Sequence, residues 1–341
     1  MIMVLGGAGY IGSAVSYYLR QTDREAVIVD NLSSGFQELA DGTGCPLIRC
    51  DLRDREAIRK VMLDVRPEVI MHFAASQGVP QSVSSPSEFY NNNVLATINV
   101  MDAMRESRVR HLIFSSTAAS YGVPLYTPID ERHLLAPTTP YGWTKIMMEQ
   151  AMADYAKAYG MTFFALRYFN AAGDIPGAPV GEMHDPESHL IPNILLSALR
   201  DDGQVFEVYG GKYPTHDGTC LRDYIHVEDL ARAHIAAMDH LRSGGGSGIV
   251  NLGCGAGYSV MEVLEACNRV TGRRIPHIVK APRPGDPPCL IASNKLARQT
   301  LGWVPEWNSI DAIVESAWNW HRARFALNST YVTQMARPMG M

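Results

Sequence analysis

The chain has 341 residues, which exceeds one ordinary domain and points to one large domain or two interlocked ones. Apolar residues make up 46% and charged residues 19%, enough for a packed core and too little charge for a disordered chain. Lys and Arg number 30 against 35 Asp and Glu, a formal net charge of −5, so no basic surplus is available for a polyanion and nucleic acid is not the expected partner.

The six cysteines (Cys45, Cys50, Cys220, Cys254, Cys267, Cys289) form no C-x-x-C pair and have no histidine at metal-ligand spacing. Neither a cysteine metal site nor a disulfide framework is expected, and scattered reduced thiols suit the cytoplasm. The apolar start Met1–Leu5 runs straight into glycines, far short of a signal-peptide core or a membrane span.

Up to about residue 169, short β-prone runs alternate with helical stretches: Ile2–Leu5, Ala26–Asp30, Leu47–Cys50, Val69–Phe73, His111–Ser115 and Thr162–Tyr168. That rhythm predicts an α/β fold of the Rossmann type, a doubly wound parallel sheet with helices on both faces. Beyond Asn170, proline and glycine clusters (174–180, 281–288) separate shorter elements and predict a smaller α/β C-terminal lobe. Residues 223–247 are expected to pack back onto the first domain.

Directly after the first strand comes Gly6-Gly7-Ala8-Gly9-Tyr10-Ile11-Gly12, opening a helix. Glycines here permit a tight turn and bring backbone N–H groups up to a pyrophosphate at the helix N-terminus. Asp30, at the end of the next strand, suits the ribose hydroxyls and repels a 2′-phosphate, so NAD is favoured over NADP. Residues 1–169 are thus the expected NAD-binding domain, and 170–341 mainly the substrate-binding lobe. Asp51, followed by Leu52, either meets the adenine amino group or caps the helix beginning near Arg53; both can hold. His72 reads as a hydrogen-bonded structural histidine.

Tyr141-Gly142-Trp143-Thr144-Lys145 begins a long helical stretch, and a spacing of four puts Tyr141 and Lys145 on one face. An ammonium beside a phenol, with the positive nicotinamide ring, lowers the tyrosine pKa towards that of a useful general base. The strand ending Ser115-Ser116-Thr117 supplies a second hydroxyl where the crevice of such sheets lies.

These motifs, with Asp30-Asn31-Leu32, His72-Phe73-Ala74-Ala75 and Arg167-Tyr168-Phe169-Asn170, resemble the extended short-chain dehydrogenase/reductase family. The strings Tyr213–Thr219 and Arg222–Val227 resemble its nucleotide-sugar 4-epimerases, over the chain to about residue 325. Residues 328–341 look unrelated and read as a loose tail.

The resemblance implies an isomerase that epimerises a UDP-hexose at C4 through a transient 4-keto sugar and bound NADH. Tyr141 would be the acid/base, Lys145 would hold the nicotinamide ribose, and Thr117 would bond the sugar 4-hydroxyl. Gly6, Gly9, Tyr10, Ile11, Gly12, Asp30, Asn31, Asp51, Leu52, Phe73, Ala74, Ala75, Asn92, Tyr168 and Phe169 would complete the NAD site. Asn170, His189, Leu190, Glu207, Val208, Tyr209, Arg222, Arg283 and Leu290 would bind the nucleotide sugar, with Tyr209 on the uracil and the two arginines on the diphosphate. Each has a bland alternative: Tyr209 as a core strand residue, Arg222 as partner of Asp223 or Asp229, Arg283 as a solvated charge, Leu290 as part of a core strand.

Gln77 falls where some members carry a lysine near the cofactor, a charge that would help retain NAD. Ala118 and Ala119 occupy places where dehydratases and decarboxylases carry carboxylates, which speaks against both reactions. The other readings are a 4-epimerase of a UDP-N-acetylhexosamine or UDP-pentose, or a catalytically silent NAD-binding regulator. The helices after Pro86 (88–105) and after Tyr141 (145–159) resemble the pair through which family members form a two-fold homodimer.

Overall fold

The computed structural model describes residues 1–200, 205–282 and 286–327. Arg283 and the tail at 328–341 lie outside the described residues.

Strands in chain order are β1 (Ile2–Leu5), β2 (Ala26–Asp30), β3 (Leu47–Arg49), β4 (Val69–His72), β5 (His111–Thr117), β6 (Thr162–Tyr168), β7 (Asn170–Ala172), β8 (Phe206–Tyr209), β9 (Leu221–Arg222), β10 (Tyr224–His226), β11 (Gly248–Leu252), β12 (Tyr258–Ser259), β13 (His277–Lys280) and β14 (Cys289–Leu290). The helices are α1 (Tyr10–Gln21), α2 (Gln37–Gly42), α3 (Arg55–Val65), α4 (Val79–Ser84), α5 (Pro86–Phe89), α6 (Ala96–Ser107), α7 (Pro140–Tyr159), α8 (Leu190–Arg200), α9 (Val227–Arg242), α10 (Val260–Thr271), α11 (Lys295–Leu301) and α12 (Ile310–Leu327).

Seven strands make one sheet in the order β11-β6-β5-β4-β1-β2-β3, every neighbour parallel. Such strands are covered on both faces, which is why β1 reads Ile-Met-Val-Leu without a polar residue and is wholly buried. Its side chains alternate: Ile2 and Val4 pack with Val15 and Leu19 of α1 and Leu230 of α9, whereas Met3 and Leu5 pack with Met62 of α3, Met101 of α6 and Met148 of α7. The strand order reverses between β1 and β4, so a crevice opens at their carboxyl ends.

After β6 the chain leaves this sheet through β7, which pairs with β10. α8, α10 and α12 then share a second apolar core through Ile194, Leu195, Val263, Leu264, Ile313 and Val314. Two small sheets, β12-β9-β14 and β13-β8, complete that part. α9 packs against α1 and on β5 and β6, and β11 joins the main sheet as the strand beside β6, an element absent from the strands read off the sequence.

Candidate active site

The turn after β1 leaves no room for side chains at three of its glycines, Gly7 being closed off by the buried Ile28 side chain at 2.8 Å. Gly6 has φ +78°, and a Cβ there would stand 2.5 Å from the Ala74 nitrogen; at Gly12 it would stand 2.2 Å from the Gly6 carbonyl oxygen. Gly9 differs, since a Cβ there would meet only the Gly6 oxygen at 3.5 Å, and it is the N-cap of α1 with no side-chain cap. The first turn of α1 holds no acidic residue. Its uncapped N–H groups are of the kind that could hold an anion such as a dinucleotide pyrophosphate.

Asp30 accepts from Ala8 N–H at 3.0 Å and Leu32 N–H at 2.8 Å, so its carboxylate also fixes the glycine turn. Asn31 Nδ2 donates to Asp51 at 3.2 Å. Asp51 is gripped by Arg53 (2.9 and 2.6 Å), which holds its carboxyl well below the usual range. The helix cap expected of Asp51 belongs instead to Asp54, which accepts from Ala57 N–H at 3.0 Å, because α3 starts at Arg55. Leu52 is buried in the sheet core. Tyr10 is buried with its hydroxyl donating to the Gly173 carbonyl, and Ile11 packs beside Val227.

On the other side of the crevice, Phe73 and Ala74 leave β4 with their N–H groups on the Leu5 carbonyl, and the Phe73 ring lies 4.7 Å from that of His234. His72 is structural: buried, with Nε2 2.9 Å from Thr97 Oγ1. Asn92 Nδ2 donates to Ser76 Oγ at 2.9 Å. Its neighbour Asn93, not singled out in the sequence, is fully buried and ties three elements: it accepts from Ser76 N–H (2.7 Å) and donates to Ser76 O (3.0 Å) and Thr144 Oγ1 (3.1 Å). Both asparagines sit in a π-helical turn, 90–95, a form that recurs at functional sites. The run Asn91-Asn92-Asn93 was the available signal, since three amides inside a helix need partners.

α7 begins with Thr139, whose side chain accepts from Gly142 N–H, and Pro140 at the first turn. Tyr141, Lys145 and Glu149 follow at intervals of four on one face. Lys145 is buried and donates to the Ser115 carbonyl at 2.8 Å, with Nζ 5.8 Å from the Tyr141 ring centroid. Thr117 ends β5, and its hydroxyl accepts from Ala119 N–H at 3.1 Å. Tyr168 bonds through its hydroxyl to Ser115 Oγ, while Phe89 packs edge-on to Tyr141.

The chain's own field sets the protonation here. Burial pushes the Tyr141 phenol up to about 12, partly countered by a hydrogen bond with Thr117, and burial pulls the Lys145 ammonium down to about 7, countered by Glu149. The lowered tyrosine pKa expected from the sequence is thus not supplied by Lys145 alone, because the lysine is itself desolvated and spends a donor on Ser115.

In the second lobe, Asn170 Nδ2 donates to the Asp223 carbonyl at 3.2 Å. His189 Nδ1 faces Glu182, and Leu190 begins α8 against the second core. On β8, Val208 is buried while Tyr209 donates to Glu207 at 2.8 Å. Arg222 pairs with Asp286 rather than with Asp223 or Asp229. Asp229 instead pairs with Arg232, and Asp223 accepts from the N–H groups of Cys254, Gly255 and Ala292. Leu290 packs, with Phe169, on the cluster of Ala118, Tyr121 and Ile129 that follows Thr117.

Comparison with known proteins gives one consistent family. Residues 2–253 match the NAD dependent epimerase/dehydratase family. A UDP-glucose 4-epimerase of Halalkalibacterium halodurans is 45% identical over 94% of this chain and 95% of its own. The crystal structure of UDP-glucose 4-epimerase from Brucella ovis in complex with NAD is 44% identical, with a TM-score of 0.90 over 94% of this chain and 97% of that one. The Stenotrophomonas maltophila UDP-glucose-4-epimerase, solved with NAD and formylated UDP-arabinopyranose, is 35% identical with a TM-score of 0.91 over 96% and 99%.

Proposed function

The chain belongs to the NAD dependent epimerase/dehydratase family, and from that premise we propose that it is an NAD-dependent 4-epimerase interconverting UDP-glucose and UDP-galactose through a 4-keto sugar. The observation that carries this reading is the convergence of Thr117, Tyr141 and Lys145 at the carboxyl end of β5, beside the glycine mouth of β1, with Ala118 and Ala119 offering no carboxylate for an elimination.

In this reading residues 1–169 hold NAD, through Gly6–Gly12, Asp30, Asn31, Asp51, Leu52, Phe73–Ala75, Asn92, Tyr168 and Phe169, and 170–341 mainly hold the nucleotide sugar. Held by these residues, NAD would supply a hydride acceptor, and once reduced a hydride donor, for C4 of the sugar. The protein's part is the proton. Tyr141 accepts it from the sugar 4-hydroxyl and later gives it back, with Thr117 as the second partner of that hydroxyl.

A phenol pushed up to about 12 is reluctant to ionise, so the work of Lys145 is to stay cationic beside it. Its bond to the Ser115 carbonyl and the field of Glu149 favour that form. Asn170, His189, Leu190, Glu207–Tyr209, Arg222, Arg283 and Leu290 form the nucleotide-sugar side, Arg222 being oriented by Asp286. Turning the keto sugar over requires a firm hold on the nucleotide and a loose one on the hexose.

The assembly proposed is a homodimer. Leu95, Trp143, Met147 and Tyr159, on the adjoining π-turn and α7, are apolar and exposed, which suits a two-fold helical contact. A cytoplasmic location agrees with thiols that are all free, and no described helix is long and apolar enough to cross a membrane. Adding UDP-galactose to the purified protein tests the function: UDP-glucose must form while a transient absorbance of reduced nicotinamide appears. Binding of NAD with no turnover of UDP-galactose would leave only a silent NAD-binding protein.

A further inference from the structure

Four side chains in the eight residues before α8 converge, one of them the His189 assigned above to the nucleotide-sugar side. Glu182, His184, Glu187 and His189 each offer one ligand atom, and these atoms all lie within 4.8 Å of one another. The individual separations are 2.8 Å (His189 Nδ1 to Glu182 Oε1), 3.3 Å (His184 Nδ1 to Glu187 Oε2), 3.6 Å (His189 Nδ1 to Glu187 Oε1) and 3.7 Å (His184 Nδ1 to Glu182 Oε1). Ligands about 2.0–2.1 Å from a tetrahedral ion stand roughly 3.3 Å apart, so the group is already near the size of such a shell.

Glu182 supplies the independent sign. Its side chain is 1% exposed, yet neither carboxylate oxygen receives a hydrogen bond. This is not slack, because its backbone is fixed at both ends: Asp174 Oδ1 accepts from its N–H at 2.6 Å, and Trp320 Nε1 donates to its carbonyl at 3.0 Å. Gly181 lies so close to the Trp320 ring and Asp174 that no side chain fits there. The fold thus holds a buried carboxylate in place and aims it at the Nδ1 atoms of two imidazoles, with no hydrogen bond of good geometry to either oxygen, an arrangement costly in itself. Glu187 is oriented too: Oε1 takes the N–H groups of Ser188 and His189, both at 2.8 Å, and Oε2 faces His184.

We propose that Glu182, His184, Glu187 and His189 form a tetrahedral structural site for a divalent cation of the zinc class. Two carboxylates balance the charge of a dication while two imidazole nitrogens select a transition metal over magnesium or calcium. The ion enters past His189, whose side chain is 45% exposed. It would brace the segment that ends at Leu190 and sits edge-on to Tyr10 in the first turn of α1, through the His184 ring 6.2 Å away. The pattern Glu182-x-His184-x-x-Glu187-x-His189 contains no cysteine, so it lies outside the cysteine spacings of common zinc sites.

The test uses the full chain, stripped with chelator and dialysed, then titrated with Zn²⁺, Co²⁺ and Mg²⁺. One zinc per chain by elemental analysis, a melting temperature that climbs with Zn²⁺ but not with Mg²⁺, and the intense visible absorption of four-coordinate Co²⁺ are expected. Glu182→Gln, nearly isosteric, should weaken zinc binding by more than the roughly 10–100-fold that losing an outer-shell partner costs. His189→Gln, at an exposed position that folding tolerates, should do the same and keeps the test open should the buried variant fail to fold. Absence of zinc binding by the parent chain overturns the proposal, and so does equal zinc affinity in parent and His189→Gln, which would point to the thiols.

Discussion

Glu149 of α7 and Arg167 of β6 close a buried ion pair one helical turn beyond Lys145, their side chains 4% and 3% exposed. Ser116 donates to the same carboxylate at 2.5 Å, and Arg167 also donates to the Tyr121 hydroxyl at 3.0 Å, which in turn donates to Asn251 at 2.6 Å. β5, β6, β11 and α7 are thereby joined, two of them, β5 and α7, carrying the proposed catalytic residues. Arg167→Met would strand the Glu149 carboxylate, and a loss of about 3–5 kcal/mol in urea unfolding is expected. The double variant Arg167→Met/Glu149→Gln should recover part of that loss; no recovery would show that the pair does not act as a unit.

Tyr141→Phe removes one oxygen from a helix face that is otherwise unchanged. The variant should fold and hold NAD, yet lose roughly 10²–10⁴-fold in epimerisation, the range of general acid/base groups. Interconversion of UDP-glucose and UDP-galactose at the parental rate would remove Tyr141 from the mechanism.

Three of the buried histidines each weaken the fold in acid. Burial takes His72 and His226 down to about 3 and His234 to about 4, all below their ordinary value near 6.5. The unfolded chain therefore takes up protons first: their contribution is complete above pH ~6.5 and is lost as pH falls towards the folded values. Asp223, pushed by burial up to about 6, acts in the opposite sense between about pH 6 and 4, as do Asp174 and Glu182, whose carboxyls burial raises well above their ordinary values. Between pH 6 and 5, unfolding free energy should fall less steeply in His234→Gln than in the parent, by up to about 1.4 kcal/mol per pH unit. Identical slopes would reject the assignment.

Leu290 sits on the apolar cluster next to Thr117, with Phe169. An acetamido group pressed against it would lose a hydrogen bond at a cost of about 1–3 kcal/mol, so plain UDP-hexoses should be preferred to N-acetylated ones. The comparison is kcat/KM for UDP-galactose and UDP-N-acetylgalactosamine. Equal values dismiss Leu290 as a gate, whereas a gap that narrows in Leu290→Ser establishes it.

The exposed pair Trp143 and Met147, four apart on α7, should be covered in the proposed dimer. Light scattering at micromolar concentration should give twice the monomer mass, and Trp143→Glu/Met147→Glu should halve it. A parental protein that scatters as a monomer rejects this assembly.

The sheet, the glycine turn and the Tyr141/Lys145 face were legible because each follows from a local rule: buried parallel strands are continuous apolar runs, tight turns need glycine, and a spacing of four shares a helical face. The strand at 248–252 was not, since it is short, follows a glycine-rich turn and owes its place to pairing with a strand some eighty residues earlier. For the same reason Asn93, the Glu149–Arg167 pair and the Asp286 partner of Arg222 escaped the sequence, all being contacts between distant segments. Asp51 shows the converse: a local rule named the wrong aspartate by three positions, because Asp51 closes a turn onto Arg53 before the helix starts.

The place of β11 bears on how the protein is made. β6 hydrogen-bonds to β5 on one side and to β11 on the other, and β11 is synthesised long after β6. Until Leu252 has left the ribosome, the β6 backbone from Phe164 to Tyr168 is an open edge of apolar strand, able to recruit a strand of another nascent chain. Fragments that end before residue 248 should therefore aggregate rather than yield a soluble half.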